Sequence, residues 1–150
     1  MKQVIKFQSP KEHYKADACI LWCIDARLTR LHDPENSLLI KFIKEFKLEN
    51  PDVLIIAGGA KDLNSPGTGR KFLFDQLDKI IKFHQPKQFS LVVHMDCGAY
   101  KGEIIGDETE YALTELKRAR RILEQYLTVK KYTAEVKTYL ADFNGLWEVE

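Results

Sequence analysis

The stretch "ACILWCIDARL", residues 18–28, opens as an unbroken apolar run and then changes character, with Asp25 and Arg27 at alternate positions beyond Cys23. An apolar run of this length, bounded by polar residues, reads as a buried strand over 18–24. Three further runs have the same signature: "VLIIA" at 53–57, "FSLVVH" at 89–94 and "AEVKTYL" at 134–140. The middle two are continuously apolar, which suits parallel strands covered on both faces.

Between the runs the period changes to that of a helix. Leu38, Leu39, Phe42, Ile43 and Phe46 predict a helix over 35–48. Phe72, Leu73, Leu77, Ile80 and Ile81 predict one over about 68–84, and Tyr111, Leu113, Leu116, Ile122, Leu123 and Tyr126 one over about 107–127. Pro34 suits a first turn, Pro86 follows the second helix, and Asp107-Glu108 place acids at the positive end of the third. Strand and helix therefore alternate, and the expected fold is α/β: a mostly parallel sheet of about four strands flanked by helices. Asn144-Gly145 is a two-residue hairpin signal, so Leu146 to Val149 is expected to return as an antiparallel edge strand. No repeat or linker divides residues 1–150, which read as one domain.

Composition excludes several functions. With 23 Lys and Arg against 22 Asp and Glu, a net charge of +1 supplies no general attraction to nucleic acid or to an anionic membrane, and neither is expected as a partner. No apolar stretch reaches the length of a membrane span, and "MKQVIKFQSP" lacks the apolar core of a secretory signal, so a cytoplasmic location is expected. Three cysteines cannot all pair with one another, which favours thiols or metal ligands over a disulfide framework.

In open α/β sheets ligands bind outside the carboxyl ends of the strands. Cys23, Asp25 and Arg27 follow the first strand there, Gly58 and Gly59 the second, and His94, Asp96, Cys97 and Gly98 the third. Two thiols and an imidazole make a zinc set, since a catalytic site keeps three protein ligands and one open position. His94 and Cys97 form H-x-x-C, with Gly98 expected to turn the chain, and Cys23 joins them from another strand. Cys19 would stand about 13 Å from Cys23 along an extended strand and is assigned to the core. Asp25 would project on the same side as Cys23 about 6.6 Å on, able to accept a hydrogen bond from metal-bound water or to become a fourth ligand. Arg27 on the same face would hold that carboxylate by a charge-assisted fork. A core-filling cysteine and a hydrogen-bonded strand-end histidine are the commoner uses of either residue alone; the meeting of both motifs on one rim favours a metal.

With C-x-D-x-R in "CIDARL", Ala57-Gly58 after the second strand and H-x-x-C-G in "HMDCGA", the chain resembles the β-class carbonic anhydrases from about residue 17 onward. The resemblance implies Zn2+ on Cys23, His94 and Cys97, with Asp25 and Arg27 as the catalytic dyad. It implies Gly58, Gly59 and Gly98 at the substrate cleft, reversible hydration of carbon dioxide to bicarbonate, and a homodimer or larger homo-oligomer. Ile55 and Ile56 stand where members commonly carry Arg-Asn, and Gly59 where Asn is frequent. Two thiolates formally cancel the charge of zinc, so activity is expected to rise toward alkaline pH.

The alternatives on the same residues are hydrolysis of carbonyl sulfide or carbon disulfide, and a non-catalytic zinc-stabilised domain that binds bicarbonate or a partner. His13, His32, His84 and Tyr100 are candidate proton acceptors by type only, His32 and His84 being read as solvated. Trp22, Tyr100 and Trp147 are equally candidates for a subunit interface and for the core. "GGAKDLNSPGTG", residues 58–69, lacks the G-K-[ST] ending of a phosphate loop and is expected to border the metal cleft instead. "KRARR", residues 117–121, reads as a solvated helix face.

Overall fold

A computed structural model describes residues 4–150. Its sheet has five strands in the order β2-β1-β3-β4-β5: β1 Ala18–Cys23, β2 Asp52–Ile56, β3 Gln88–His94, β4 Glu135–Ala141 and β5 Leu146–Val149. The first four run parallel, and β5 pairs antiparallel with β4 after the Asn144-Gly145 turn. The helices are α1 Ala26–Thr29, α2 Leu38–Glu45, α3 Lys61–Asn64, α4 Thr68–Phe83 and α5 Glu108–Val129. The α/β architecture expected from the alternating pattern is the one observed.

Every residue of β1 is buried, and its side chains alternate between two cores. Cys19, Leu21 and Cys23 face the layer built by Leu63 of α3, Leu73 and Leu77 of α4, and Leu116 and Leu123 of α5. Ala18, Ile20 and Trp22 face Leu39 and Phe42 of α2. A period of two is what a strand buried on both faces needs if each residue is apolar.

Two expectations change. The apolar run of β2 is not covered on both sides: β2 is an edge strand, and Ile55 is 38% exposed. Helix 35–48 is shorter, because Ser37 accepts a hydrogen bond from the Ile40 N–H and caps α2, while Pro34 sits in the preceding turn. That turn closes by Asn36 N–H to Asp33 O (3.1 Å) and by the Asn36 amide on the Asp33 carboxylate (2.9 Å). Serine supplies a side-chain acceptor for a free N–H of the first turn, which proline cannot, so Ser37 sets the boundary. Three short elements, α1, α3 and a 3₁₀ turn over Gly98–Tyr100, escape a periodicity argument because none completes two turns. No helix among the described residues is long and apolar enough to cross a membrane.

Candidate metal centre

The strand order fixes where a site can form. From β1 the chain crosses to β2 on one side, then returns past β1 to β3 on the other, so the switch point lies between the carboxyl ends of β1 and β3. Pairing of β1 with β2 runs to Cys23 opposite Ile56, but pairing with β3 stops at Leu21 opposite Leu91. Beyond that the two strands part, and the loop after β2 enters the gap, with Ala60 N–H reaching Val92 O at 3.4 Å. Gly59 makes this possible. Its φ is +58°, and a Cβ there would stand 2.3 Å from Val92 O.

Cys23, His94 and Cys97 converge at this point. Their ligand atoms all lie within 4.8 Å of one another, and the two Sγ atoms are 3.9 Å apart. Tetrahedral zinc with Zn–S near 2.3 Å places two thiolates about 3.8 Å apart, so the pair already has the spacing the ion needs. The imidazole is turned correctly as well. His94 Nδ1 lies 2.8 Å from Met95 O, which makes Nδ1 the protonated nitrogen and leaves the Nε2 lone pair inward, buried and without a partner. An orphaned buried acceptor beside two thiols is the signature of a donor set awaiting a cation.

The turn that brings Cys97 beside His94 is made by Asp96 at φ +54°, not by Gly98; a Cβ at Gly98 would meet nothing within 4 Å. The Cys97 thiol donating to Cys23 Sγ holds the Cys23 thiol below its ordinary value, and Cys97 as donor is pushed up in return. The Gly58 N–H adds a contact to Cys23 Sγ at 3.4 Å. A metal bound by both sulfurs would displace the proton of the Cys97–Cys23 contact. Cys19, fully buried in the core with its thiol pushed up by desolvation, stays protonated and takes no part.

Asp25 and Arg27 meet, though not by strand alternation. The strand ends at Cys23, and Asp25 is the N-cap of α1, its Oδ1 accepting from Arg27 N–H at 2.9 Å. The Arg27 side chain then folds back on the same carboxylate, Nη2 to Oδ2 at 2.7 Å and Nε to Oδ1 at 3.1 Å. This fork holds the Asp25 carboxyl at about 2, against the pull of burial. Asp25 Oδ2 lies 3.9 Å from His94 Nε2.

The far side of the guanidinium belongs to Asp96, whose Oδ2 accepts from Nη1 at 2.8 Å and whose carbonyl accepts from Nη2 at 3.1 Å. Asp96 carried no role in the sequence reading beyond its place on the rim. Its position between the two ligands of H-x-x-C was the available signal, since the residue that turns that motif must face the opposite strand end. Thr29 supports the arrangement, its hydroxyl donating to Cys23 O (3.2 Å) and Asp25 O (3.0 Å).

A cleft of about 370 Å³ opens beside His94 and Arg27, walled by Leu28 and Leu38 on one side and by the β4–β5 turn on the other. Gly58, Gly59 and Gly98, expected at the cleft, do not line it; the Gly58 N–H lies against Cys23 Sγ instead. None of the four expected proton acceptors lines the cleft. His84 is not a solvated histidine: its Nδ1 lies 2.9 Å from Asp52 Oδ2, and its ring stacks on Tyr14 at 4.4 Å. Tyr100 and Trp22 are core residues at 3% and 0% exposure, whereas Trp147 is exposed.

No family model matches the chain. It is 30% identical over 147 residues to an uncharacterized protein of Rickettsia bellii (strain RML369-C), covering 88% of this chain and 85% of that one. Among solved structures it is similar to a carbonic anhydrase from Glaciozyma antarctica, with TM-score 0.56 and 14% identity over 89% of this chain and 82% of that one. It is likewise similar to one of two tetrameric β-carbonic anhydrases from Sordaria macrospora, with TM-score 0.56 and 10% identity over 88% and 79% of the two chains. The fold is that of the β-carbonic anhydrases, as the paired sequence motifs implied. The chain belongs to one family with the Rickettsia bellii protein.

Proposed function

We propose that this member of the Rickettsia bellii protein's family, built on the β-carbonic anhydrase fold, hydrates carbon dioxide reversibly with zinc held by Cys23, His94 and Cys97. The observation that carries the reading is the donor set itself: two thiols at zinc spacing and an inward, unpartnered imidazole nitrogen at the switch point of the sheet. Zinc, when bound, supplies Lewis-acid activation of water near neutral pH.

The chain's own residues do the rest. Asp25, ionised throughout the working range, accepts a hydrogen bond from the attacking water and orients it toward carbon dioxide. Arg27 grips both oxygens of Asp25, and Asp96 fixes Arg27 from behind, so that the carboxylate is held back from the metal position instead of filling it. His94 keeps its donor nitrogen aimed by giving its other proton to the Met95 carbonyl.

The chain is read as one domain working in the cytoplasm, where thiols stay reduced. The apolar edge strand β2, with Ile55 exposed, favours a homo-oligomer joined along that edge, an assembly consistent with the tetramers of the Sordaria proteins.

Stopped-flow hydration of carbon dioxide by protein of measured zinc content tests the reading. Zinc-dependent turnover that rises from neutral to alkaline pH is expected, and Asp25→Ala should keep its zinc while losing most turnover. Fully zinc-loaded protein that is inert toward carbon dioxide at both pH values would overturn it, and turnover of carbonyl sulfide instead would reassign the substrate. Light scattering on the wild type and on Ile55→Lys checks the assembly: the variant should shift to a smaller species.

A further inference from the structure

We propose that the cleft beside the candidate metal centre is also a binding site for a small organic oxyanion, a short-chain carboxylate or a phosphate monoester, held by Arg30 and Lys41. This goes beyond carbon dioxide hydration and does not depend on it. The first argument is size. At about 370 Å³ the cleft falls within the range of small-molecule pockets, roughly 300 to 1,000 Å³, whereas a three-atom gas needs little more than the roughly 30 Å³ share of a water molecule.

The second argument is unspent charge. Three cations, Arg27, Arg30 and Lys41, line the cleft against one carboxylate, Asp142. Arg27 is already neutralised by Asp25 and Asp96. Asp142 is turned into its own hairpin, where Oδ1 accepts the N–H groups of Asn144 (2.7 Å) and Gly145 (2.8 Å).

Arg30 and Lys41 remain. Arg30 spends its Nε on the Arg27 carbonyl (3.2 Å) and meets Asp33 only loosely, at 3.7 Å, while Lys41 has no ion pair among the described residues. The amino end of α2, which has no acidic residue in its first turn, begins at Leu38 on the same wall and adds its partial positive charge. An anion would therefore find two cations that no internal carboxylate fully satisfies.

The third argument concerns what carries the anion. Leu28, Leu38 and Phe143 line the same cleft, and Phe143 is 73% exposed with the Arg27 guanidinium 5.7 Å from its ring. These surfaces suit a short carbon body behind a charged head, so the ligand class is organic.

The test uses the zinc-loaded full chain, with backbone amide shifts followed by NMR during titration with inorganic phosphate, methyl phosphate and butyrate. Saturable shifts are expected at Leu38, Lys41, Asn144 and Gly145. The tighter of methyl phosphate and butyrate identifies the head group, and either should exceed inorganic phosphate. Arg30→Gln and Lys41→Gln, both surface changes checked for folding by circular dichroism, should each weaken binding about three- to tenfold. Three results would overturn the proposal: no saturable shift up to roughly 10 mM, affinity unchanged in both variants, or shifts confined to the surroundings of Cys23 and Cys97, which would place the anion on the metal. Anion binding by a protein that fails to hydrate carbon dioxide would sink the hydration reading and leave this one standing.

Discussion

Replacing Gly59 by alanine tests the wedge that builds the site. The added methyl would stand 2.3 Å from the Val92 carbonyl oxygen, so the loop after β2 must retreat by about 1 Å to reach ordinary contact. Retreat breaks the hydrogen bond from Ala60 N–H to Val92 O, already long at 3.4 Å, and leaves a buried N–H unpaired at a cost of about 1 to 3 kcal/mol. Holding φ at +58° costs an L-residue another 1 to 2 kcal/mol, approximately. The sum, about 2 to 5 kcal/mol, is a large part of what a domain of this size has to lose. Urea unfolding monitored by circular dichroism reads it directly as a lower midpoint at unchanged slope. Zinc affinity should fall too, because the same loop carries the Gly58 N–H that contacts Cys23 Sγ. A loss below about 1 kcal/mol with normal zinc affinity would mean that the loop does not wedge β1 from β3, and the account of the switch point would be wrong.

Other perturbations have defined outcomes. The Asp25 carboxyl sits near 2 in the folded chain against an ordinary 3.8, so its contribution to stability is complete above about pH 4 and disappears as pH falls toward 2; the stability gap between wild type and Asp25→Asn should close over that window, and a gap constant with pH would refute the fork. Cys97→Ser should abolish zinc binding measured by mass spectrometry, whereas Cys19→Ser should lower the thermal midpoint while keeping one zinc per chain. Chelation of zinc from the wild type should lower Tm, since an ion at a thousandfold its Kd contributes about 4 kcal/mol; an unchanged Tm would show that the three donors hold no ion. Asp96→Gly tolerates the left-handed turn, leaves the Asp25–Arg27 fork in place and removes the carboxylate behind it, so turnover should drop by about tenfold at unchanged zinc content, and full turnover would remove Asp96 from the machinery.

Most of the sheet was legible because short apolar runs bounded by polar residues mark buried strands. "ACILWC" is apolar at every position and "FSLVV" at every position but Ser90, and both are buried on both faces. "DVLII" has the same look, yet it lies at an edge, since local composition reports only that a residue tolerates burial and not which neighbour will cover it. The three donors were legible for a related reason: residue types that zinc requires occurred at strand ends, and strand ends of a parallel sheet are brought together by topology.

The arrangement around the donors was less legible. Treating "CIDAR" as continued strand put Asp25 and Arg27 on one face, and they do meet, but through an N-cap whose hydrogen bond depends on where the strand stops. The turn in "HMDCGA" was assigned to its glycine, although Asp96 takes the left-handed conformation, one that Asp adopts more readily than most side chains. Arg30 and Lys41 carried no signal at all, because two exposed cations in a chain of balanced charge become notable only when a cleft collects them.

The parting of β1 from β3 beyond Leu21 and Leu91 also sets an order of events in folding. Cys23 and His94 are distant in sequence, and nothing local brings them together; they become neighbours only when the slow, non-local pairing of two parallel strands has closed and the loop after β2 has dropped between them. A chain still emerging from the ribosome, or one trapped with β1 paired to β2 alone, presents isolated thiols with no high-affinity site for the ion. Capture of a metal would thus be a late event that reads out completed topology, and a bound ion would resist the separation of those same two strands.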